Sequence, residues 1–143
     1  MRLIEGGRLT GWLLNAAAAR QLGLDTNGRA TRGVGGAPGV GATNVHLEPG
    51  EDTPEALRAD VRSGLYVTEL IGHGVNPVTG DYSRGASGFI IEDGELAAPV
   101  AEITIAGNLI DMYRQLKAAN DLEHRRAVNV PTLRVDGMTV AGV

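Results

Sequence analysis

Residues 64–89 read GLYVTELIGHGVNPVTGDYSRGASGF, and this stretch decides most of the fold. Residues 65–71 are rich in Leu, Val, Ile and Tyr, a composition typical of a β-strand. Residues 72–85 are polar and interrupted by glycine, which indicates a loop between two strands. Beyond them, residues 86–92 and 95–100 flank Asp93-Gly94, a pair that favours a tight hairpin turn. The stretch therefore predicts antiparallel strands around one long polar loop.

Upstream of this stretch the pattern predicts short strands and two short helices. Two apolar runs around Gly6-Gly7 indicate a hairpin, and a helix is expected over residues 15–23, capped by Asn15 and Gly23. The glycine-rich residues 25–42 are expected to form a loop. Residues 43–48 alternate like a strand.

The second helix is expected to begin at Asp52 or Thr53, because either side chain can cap a first turn that contains Pro54. Gly64 is the residue expected to end it.

Downstream, residues 101–106 alternate as a further strand, and Asn108 is expected to cap the third helix. One apolar stripe on that helix is expected to pack on a sheet; it consists of Leu109, Met112, Tyr113 and Leu116. Residues 129–135 and 138–141, joined by Asp136-Gly137, are predicted to close the fold as a hairpin. The sequence predicts an α+β fold, mostly antiparallel β-sheet with about three short helices, for which a barrel-like closure is one arrangement.

Charge and composition exclude several classes of partner. Asp and Glu number 17 against 13 Lys and Arg, giving a net charge of −4, and no basic stripe is present. We therefore expect no nucleic-acid partner. No apolar run approaches the length of a membrane span, so no membrane partner is expected. The absence of cysteine excludes disulfides and fits a cytoplasmic location.

Catalytic patterns are weak in this sequence. His46, His73 and His124 stand alone, without the spacing of a zinc-binding helix. His73 and Asp81, together with Ser83 or Ser87, lie close in sequence and could form a nucleophilic triad, but proximity in sequence is weak support for such geometry.

Four segments strongly resemble the C-terminal region of the TldD/PmbA family, also called the modulator of DNA gyrase family, on its PmbA (TldE) side. The longest is residues 64–89, quoted above. The others are PVAEITIAGNL at 99–109, PTLRV at 131–135 and GMTVAG at 137–142. The start of the chain fits as well, so the resemblance covers residues 1–143 as a single C-terminal domain, with the family's N-terminal domain absent.

This resemblance implies one half of a TldD–TldE-type metalloprotease pair that acts in the cytoplasm on unfolded or extended peptides. In the TldD half, zinc is held by a His-Glu-x-x-x-His helix from an earlier domain and by a cysteine. This chain has neither, so no catalytic residue, metal ligand or cofactor is expected in it, and zinc is expected in a TldD-like partner. The expected partners are that subunit, or a second copy of the chain, and an extended peptide.

Residues 72–88 are the predicted cleft or subunit interface. The candidate side chains for peptide or interface contacts are His73, Asn76, Asp81, Tyr82, Arg84 and Ser87. In the competing interpretation the segment is a rigid corner in which Asp81 pairs with Arg84. Two other functions stay open: an independent hydrolase with its site at residues 72–88, and a structural oligomerisation module.

Overall fold

The structure, a computed structural model, describes residues 1–142. Val143, the last residue of the predicted domain, lies outside the described residues. The chain divides into two compact units. One contains Met1–His46 and Arg126–Val128, and the other contains Leu47–Arg125 and the described residues from Asn129 onward. Antiparallel strands dominate and three short helices accompany them, which confirms the predicted fold class.

Short elements make up the first unit: β1 (Ile4–Glu5), β2 (Arg8–Leu9), α1 (Ala16–Leu22), β3 (Ala30–Thr31), β4 (Gly39–Val40) and β5 (Val45–His46). The predicted hairpin around Gly6-Gly7 is confirmed, since β1 pairs antiparallel with β2. The Asn15 side chain accepts from the Ala18 N–H and Gly23 adopts a left-handed conformation, so both predicted caps of α1 are confirmed. The glycine-rich loop holds the unpredicted β3–β4 pair.

The second unit is built around a four-stranded antiparallel sheet. Its elements are α2 (Pro54–Arg58), β6 (Ser63–Ile71), β7 (Asp81–Glu92), β8 (Glu95–Asn108), α3 (Leu109–Gln115), β9 (Lys117–Ala118), β11 (Leu133–Arg134) and β12 (Thr139–Ala141). The strand order is β12-β8-β7-β6, so the sheet is open, with β12 and β6 as its edges. The remaining strand, β10 (Val128–Asn129), pairs with β5.

The core of the sheet lies where its two longest strands pair. Ala86 on β7 is opposite Ile103 on β8, and both are 1% exposed. Ile105 is buried beside them, and half-buried residues such as Val67 and Tyr82 pack around this cluster. Burying one isoleucine side chain contributes roughly 1.5–3 kcal/mol. This cluster therefore fixes which face of β7 points inward.

The pairing register of the sheet shifts at three places, and two of these bulges lie at the same level. Thr68 is an extra residue on β6 opposite β7, and the Thr68 hydroxyl donates to the Ser87 carbonyl at 3.2 Å. On β8, Ala101 and Glu102 together stand opposite Ser87, and Glu102 has a positive φ of 59°. Such bulges bend a strand and increase its twist. Residues 95–100 and 101–106, predicted as two strands, are therefore one bent strand.

The predicted end of α2 at Gly64 is wrong. The helix begins as predicted, capped by Thr53, but it ends at Arg58, and Gly64 lies inside β6. Between the end of α2 and the start of β6, the backbone bonds to the tip of the β7–β8 hairpin instead of continuing the helix. The Gly94 N–H donates to the Val61 carbonyl at 2.8 Å, and the Asp93 N–H donates to the Arg62 carbonyl at 2.9 Å. These bonds hold residues 61–62 in a non-helical conformation.

The predicted closing hairpin is also wrong. Gly137 does turn the chain, with a φ of 76°, but the two arms pair elsewhere. β11 pairs with β9 and β12 pairs with β8. The Asp136 carboxylate accepts from the Arg134 Nε at 2.8 Å, a local contact that replaces cross-strand pairing at the turn.

α3 departs from its predicted apolar stripe. Asn108 caps it, as predicted, but Tyr113 is 70% exposed and no residue of the helix is fully buried. The helix has only seven residues, and its C-cap Leu116 is already extended. Of the predicted stripe, Leu109, Met112 and Leu116 are half-buried. In the described part of the chain, no helix is both long and apolar enough to cross a membrane.

Candidate functional site

The six predicted site residues occupy separate places around the start of β7. Residues 72–80 form a turn between β6 and β7, whereas residues 81–85, predicted as loop, belong to the strand. The pairing of Tyr82 with Gly107 and of Ser83 with Ala106 draws this part of the chain into the sheet. The polar composition of residues 81–85 did not indicate a strand, because their partner, residues 104–108 of β8, lies further along the chain.

Asn76 and Asp81 hold the turn itself. The Asn76 side-chain oxygen accepts from the N–H groups of Val78 at 3.0 Å and Thr79 at 3.3 Å. The Asn76 N–H donates to the Asp81 carbonyl at 2.9 Å. The Asp81 carboxylate accepts from the Thr79 hydroxyl at 2.7 Å. Asn and Asp often close turns in this way, so these two side chains already have local partners.

Tyr82 and Arg84 lie on the other side of β7 from Asp81. Successive strand residues point to opposite faces, and directly opposed residues of two strands share a face. Arg84 is opposite Ile105, so it shares the core-facing side with Tyr82. Asp81 is three positions from Arg84, an odd spacing that separates the two side chains. The alternative Asp81–Arg84 ion pair is accordingly not formed in the described residues.

The Arg84 guanidinium reaches the neighbouring strand. Its Nη2 donates to the Leu70 carbonyl of β6 at 3.2 Å. Its Nε is buried and has no hydrogen-bond partner in the described part of the chain. A buried donor without a partner is uncommon in native proteins and calls for an explanation. Arg84 is the predicted site residue with unused hydrogen-bonding capacity inside the fold.

Ser87 and His73 occupy two further positions. The Ser87 hydroxyl lies 3.5 Å from a carboxylate oxygen of Glu69, its partner across the bulged part of β6. His73 is exposed in the turn after β6. Within residues 1–142, no hydrogen bond joins His73 to Asp81, Ser83 or Ser87. The nucleophilic triad considered from sequence is therefore not assembled in this structure.

The described residues do not fit a zinc site. No group of three His, Asp or Glu side chains within residues 1–142 is placed to hold a metal ion. A zinc site needs three or four such ligands on one ion, and residues 1–142 do not gather such a set.

Lowered pKa values mark structural carboxylates away from the predicted segment. A hydrogen bond from Arg134 lowers the pKa of Asp60, and hydrogen bonds from the Thr132 hydroxyl and N–H lower the pKa of Asp121. The Asp136 and Asp60 carboxylates raise the pKa of the Arg134 guanidinium. Arg134 also donates to the Leu57 carbonyl at 2.7 Å, so this group ties β11 to α2. We assign these contacts of Arg134 a role in the stability of the fold.

The feature that sequence reasoning missed is the free edge of β6. This nine-residue strand pairs with β7 on one side and with no strand of the described chain on the other. An edge strand presents unpaired N–H and C=O groups. The strand was predicted, but strand order depends on long-range pairing that its own residues do not reveal.

Comparison with known proteins points to one family. The family model described as "PmbA/TldA metallopeptidase C-terminal domain" matches residues 1–142. Metalloprotease PmbA of Escherichia coli O157:H7 is 42% identical over 141 residues, covering 98% of this chain and 29% of that protein. A TldD homologue from Haemophilus influenzae is 26% identical, covering 98% of this chain and 33% of that protein.

Solved structures agree with the sequence comparison. TldE from Thermococcus kodakarensis superposes with a TM-score of 0.84 at 25% identity, covering 98% of this chain and 33% of that one. A Thermotoga maritima protein named as a modulator of DNA gyrase gives a TM-score of 0.80 at 34% identity, with coverage of 97% and 32%. The chain thus spans about a third or less of the length of these proteins.

Proposed function

We propose, since this chain belongs to the PmbA/TldA metallopeptidase family and matches its C-terminal domain, that it is a non-catalytic domain of a TldD–TldE-type metalloprotease assembly. In this proposal it shapes the peptide cleft at the edge of its sheet and leaves zinc to a TldD-like subunit. The assembly works in the cytoplasm on extended peptides. A second copy of the chain is the other candidate partner.

The observation that carries the proposal is the open edge of β6. An extended peptide can add to such an edge through main-chain hydrogen bonds, with little demand on its side chains. β6 runs over Ser63–Ile71 and leads directly into the turn at residues 72–80. A protease that accepts varied unfolded peptides needs this kind of sequence-tolerant binding.

The hydrogen bonds of the turn narrow the set of peptide-binding residues. Asn76 and Asp81 already bond to backbone and side-chain groups within residues 76–81. These contacts support a structural role for the two residues, although not through the Asp81–Arg84 pair of the rigid-corner interpretation. Tyr82 and Arg84 lie on β7 just before the part of that strand that pairs with β6, which begins at Gly85. Arg84 reaches β6 through its bond to the Leu70 carbonyl, and these two residues are the stronger candidates for contact with a peptide. Ser87 and His73 stay predictions.

The ligands available support a non-catalytic role for this domain. The described residues do not gather three metal-binding side chains. The relatives named metalloprotease are more than three times as long as the matched region, so in this proposal the zinc ligands lie in another chain or another domain.

The test measures bound zinc and peptide cleavage for this chain alone and mixed with a TldD homologue. We expect no stoichiometric zinc and no cleavage for the chain alone, and cleavage in the mixture above that of the TldD homologue by itself. Stoichiometric zinc or cleavage by the lone chain would contradict the accessory role.

A second measurement tests the edge directly. Two peptides of the same sequence carry backbone N-methyl groups, one on alternate residues and the other on every residue. Strand addition uses the N–H groups of alternate residues, so the first peptide keeps one edge that can bond to β6 and the second keeps none. The first should bind and the second should not, and equal binding of both would rule out addition at β6.

A further inference from the structure

Arg84 is a partly buried arginine without a carboxylate partner among the described residues. The other arginines of the second unit with little exposure have one: Arg134, 19% exposed, pairs with Asp60 and Asp136, and Arg58, 22% exposed, lies 3.7 Å from Glu55. Arg84 makes one hydrogen bond, to a backbone carbonyl, and its buried Nε makes none within residues 1–142.

The position of Arg84 connects it to the edge strand. Its Nη2 donates a hydrogen bond to the carbonyl of Leu70, the second-to-last residue of β6. The guanidinium thus lies beside the strand that is proposed to hold the peptide. Arg29, in the first unit, also has an unpartnered buried Nε, but no bond links it to β6.

Among the described residues, the acidic side chains near Arg84 lie on the other face of the sheet. Asp81 is three positions away on β7, so strand alternation places it on the opposite face. Glu69 is directed to that opposite face as well, where its carboxylate meets Ser87. On the core-facing side, Arg84 stands opposite Ile105 and two positions from Ala86, both apolar.

The chemistry of the guanidinium indicates which ligand would accept hydrogen bonds from its unpartnered donors. Arginine offers five N–H donors in a planar fork that matches the two oxygens of a carboxylate. Leaving one of these donors buried and unmatched costs free energy that a bound anion recovers. Each charge-assisted hydrogen bond of such a two-point contact is about twice as strong as a neutral hydrogen bond.

We propose that Arg84 anchors a carboxylate of the extended peptide that lies along β6, so that this site favours peptides with an acidic group at that position. The inference rests on the proposed function, because it assumes that β6 is the peptide-binding edge. The carboxylate can come from an Asp or Glu side chain or from the peptide's C-terminus.

The experiment compares three fluorescent peptides that differ in one group. The first has a central Glu and an amidated C-terminus; the second replaces Glu by Gln; the third keeps Gln and has a free C-terminal carboxylate. Binding is measured by anisotropy to the unmodified chain, to Arg84→Gln and Arg84→Lys, and to Arg114→Gln as the control. Arg114 is 73% exposed and pairs with Asp111 on α3.

We expect the unmodified chain to bind the first or third peptide about tenfold or more tightly than the second, the range for hydrogen bonds to charged groups. Preference for the first identifies a side-chain carboxylate, and preference for the third identifies the C-terminus. Arg84→Gln should remove the preference, Arg84→Lys should retain part of it, and Arg114→Gln should leave it unchanged. The Arg84 Nε–H signal in ¹⁵N spectra should shift with the preferred peptide.

Different failures have different meanings. If all three peptides bind the unmodified chain equally, the carboxylate anchor is wrong and the proposed function stands. If none binds, both are overturned. If acetate or phosphate alone shifts the Arg84 Nε–H signal while the three peptides bind equally, the residue holds free anions and the peptide anchor is rejected. Circular dichroism of each variant establishes that loss of preference is not loss of folding.

Discussion

At the scale of single residues, two glycines allow backbones to approach more closely than any side chain would permit. A Cβ atom at Gly88 would lie 1.9 Å from the Tyr66 carbonyl oxygen, and one at Gly74 would lie 1.5 Å from the Ser83 carbonyl oxygen. The first approach joins β6 to β7 beside the bulge at Thr68, and the second holds the turn against β7.

Replacing Gly88 by alanine should therefore destabilise the chain. Relief of the clash requires backbone movement between β6 and β7, and overpacking of this kind costs typically about 1–3 kcal/mol. The free energy of unfolding in urea measures the effect. Gly85→Ala is the matched control on the same strand, because its Cβ would meet nothing closer than the Ile71 Cβ at 3.5 Å. Equal stability of the two variants would show that β6 and β7 are not held this closely at Gly88.

At the scale of elements, Asn108 joins three parts of the second unit. It is the last residue of β8, and its side-chain oxygen accepts from the Ile110 N–H at 3.0 Å, which caps α3. Its side-chain nitrogen donates to the Thr79 carbonyl at 3.0 Å. In addition, the Leu109 N–H donates to the Gly80 carbonyl at 2.7 Å. One amide thus positions the turn at residues 72–80 against the start of α3.

Two substitutions separate these roles. Asn108→Ala should lose both contacts and destabilise the chain by about 1–3 kcal/mol, the sum of a lost cap and a lost hydrogen bond. Asn108→Asp keeps the capping oxygen and loses the donor, so hydrogen exchange should quicken in residues 78–80 but not at Ile110. Unchanged exchange in residues 78–80 would mean that the turn does not depend on this contact.

At the scale of the whole molecule, the two units differ in the interactions that stabilise each of them. In the first unit the strand pairs are two residues long, and Leu14 and Ala19 are its buried apolar residues among those described. Local polar contacts substitute for strand pairing: the Asn27 side chain accepts from the Leu14 N–H at 3.0 Å and donates to the Trp12 carbonyl at 2.7 Å. The second unit has the long β7–β8 pair and its apolar cluster.

Native-state hydrogen exchange should reflect this difference. Because local opening is easiest where few apolar groups are buried, we expect amide protection factors in β7 and β8 near Ala86 and Ile103 to exceed those of β1 to β4 by orders of magnitude. Protection factors, corrected for intrinsic exchange rates, measure this difference between the two units. Equal protection in both units would show that the chain unfolds as one cooperative body.

The sequence by itself determined the features that depend on neighbours along the chain. Asn15 and Gly23 end α1 because a capping side chain and a left-handed glycine act within one turn. Asp93 and Gly94, with φ of 48° and 84°, close the β7–β8 hairpin because its strands are adjacent in sequence. The family, too, was identified from residue patterns, since the segments that carry the resemblance are contiguous.

The tertiary structure alone decided which distant segments pair. It turned residues 81–85 from an expected loop into strand and sent the two arms around Gly137 to different partners. It also placed Arg84 on the opposite face from Asp81 and left β6 at the edge of the sheet. The physical reason is that strand pairing and burial depend on groups far apart in sequence, whereas local propensity depends only on residues that are close in sequence.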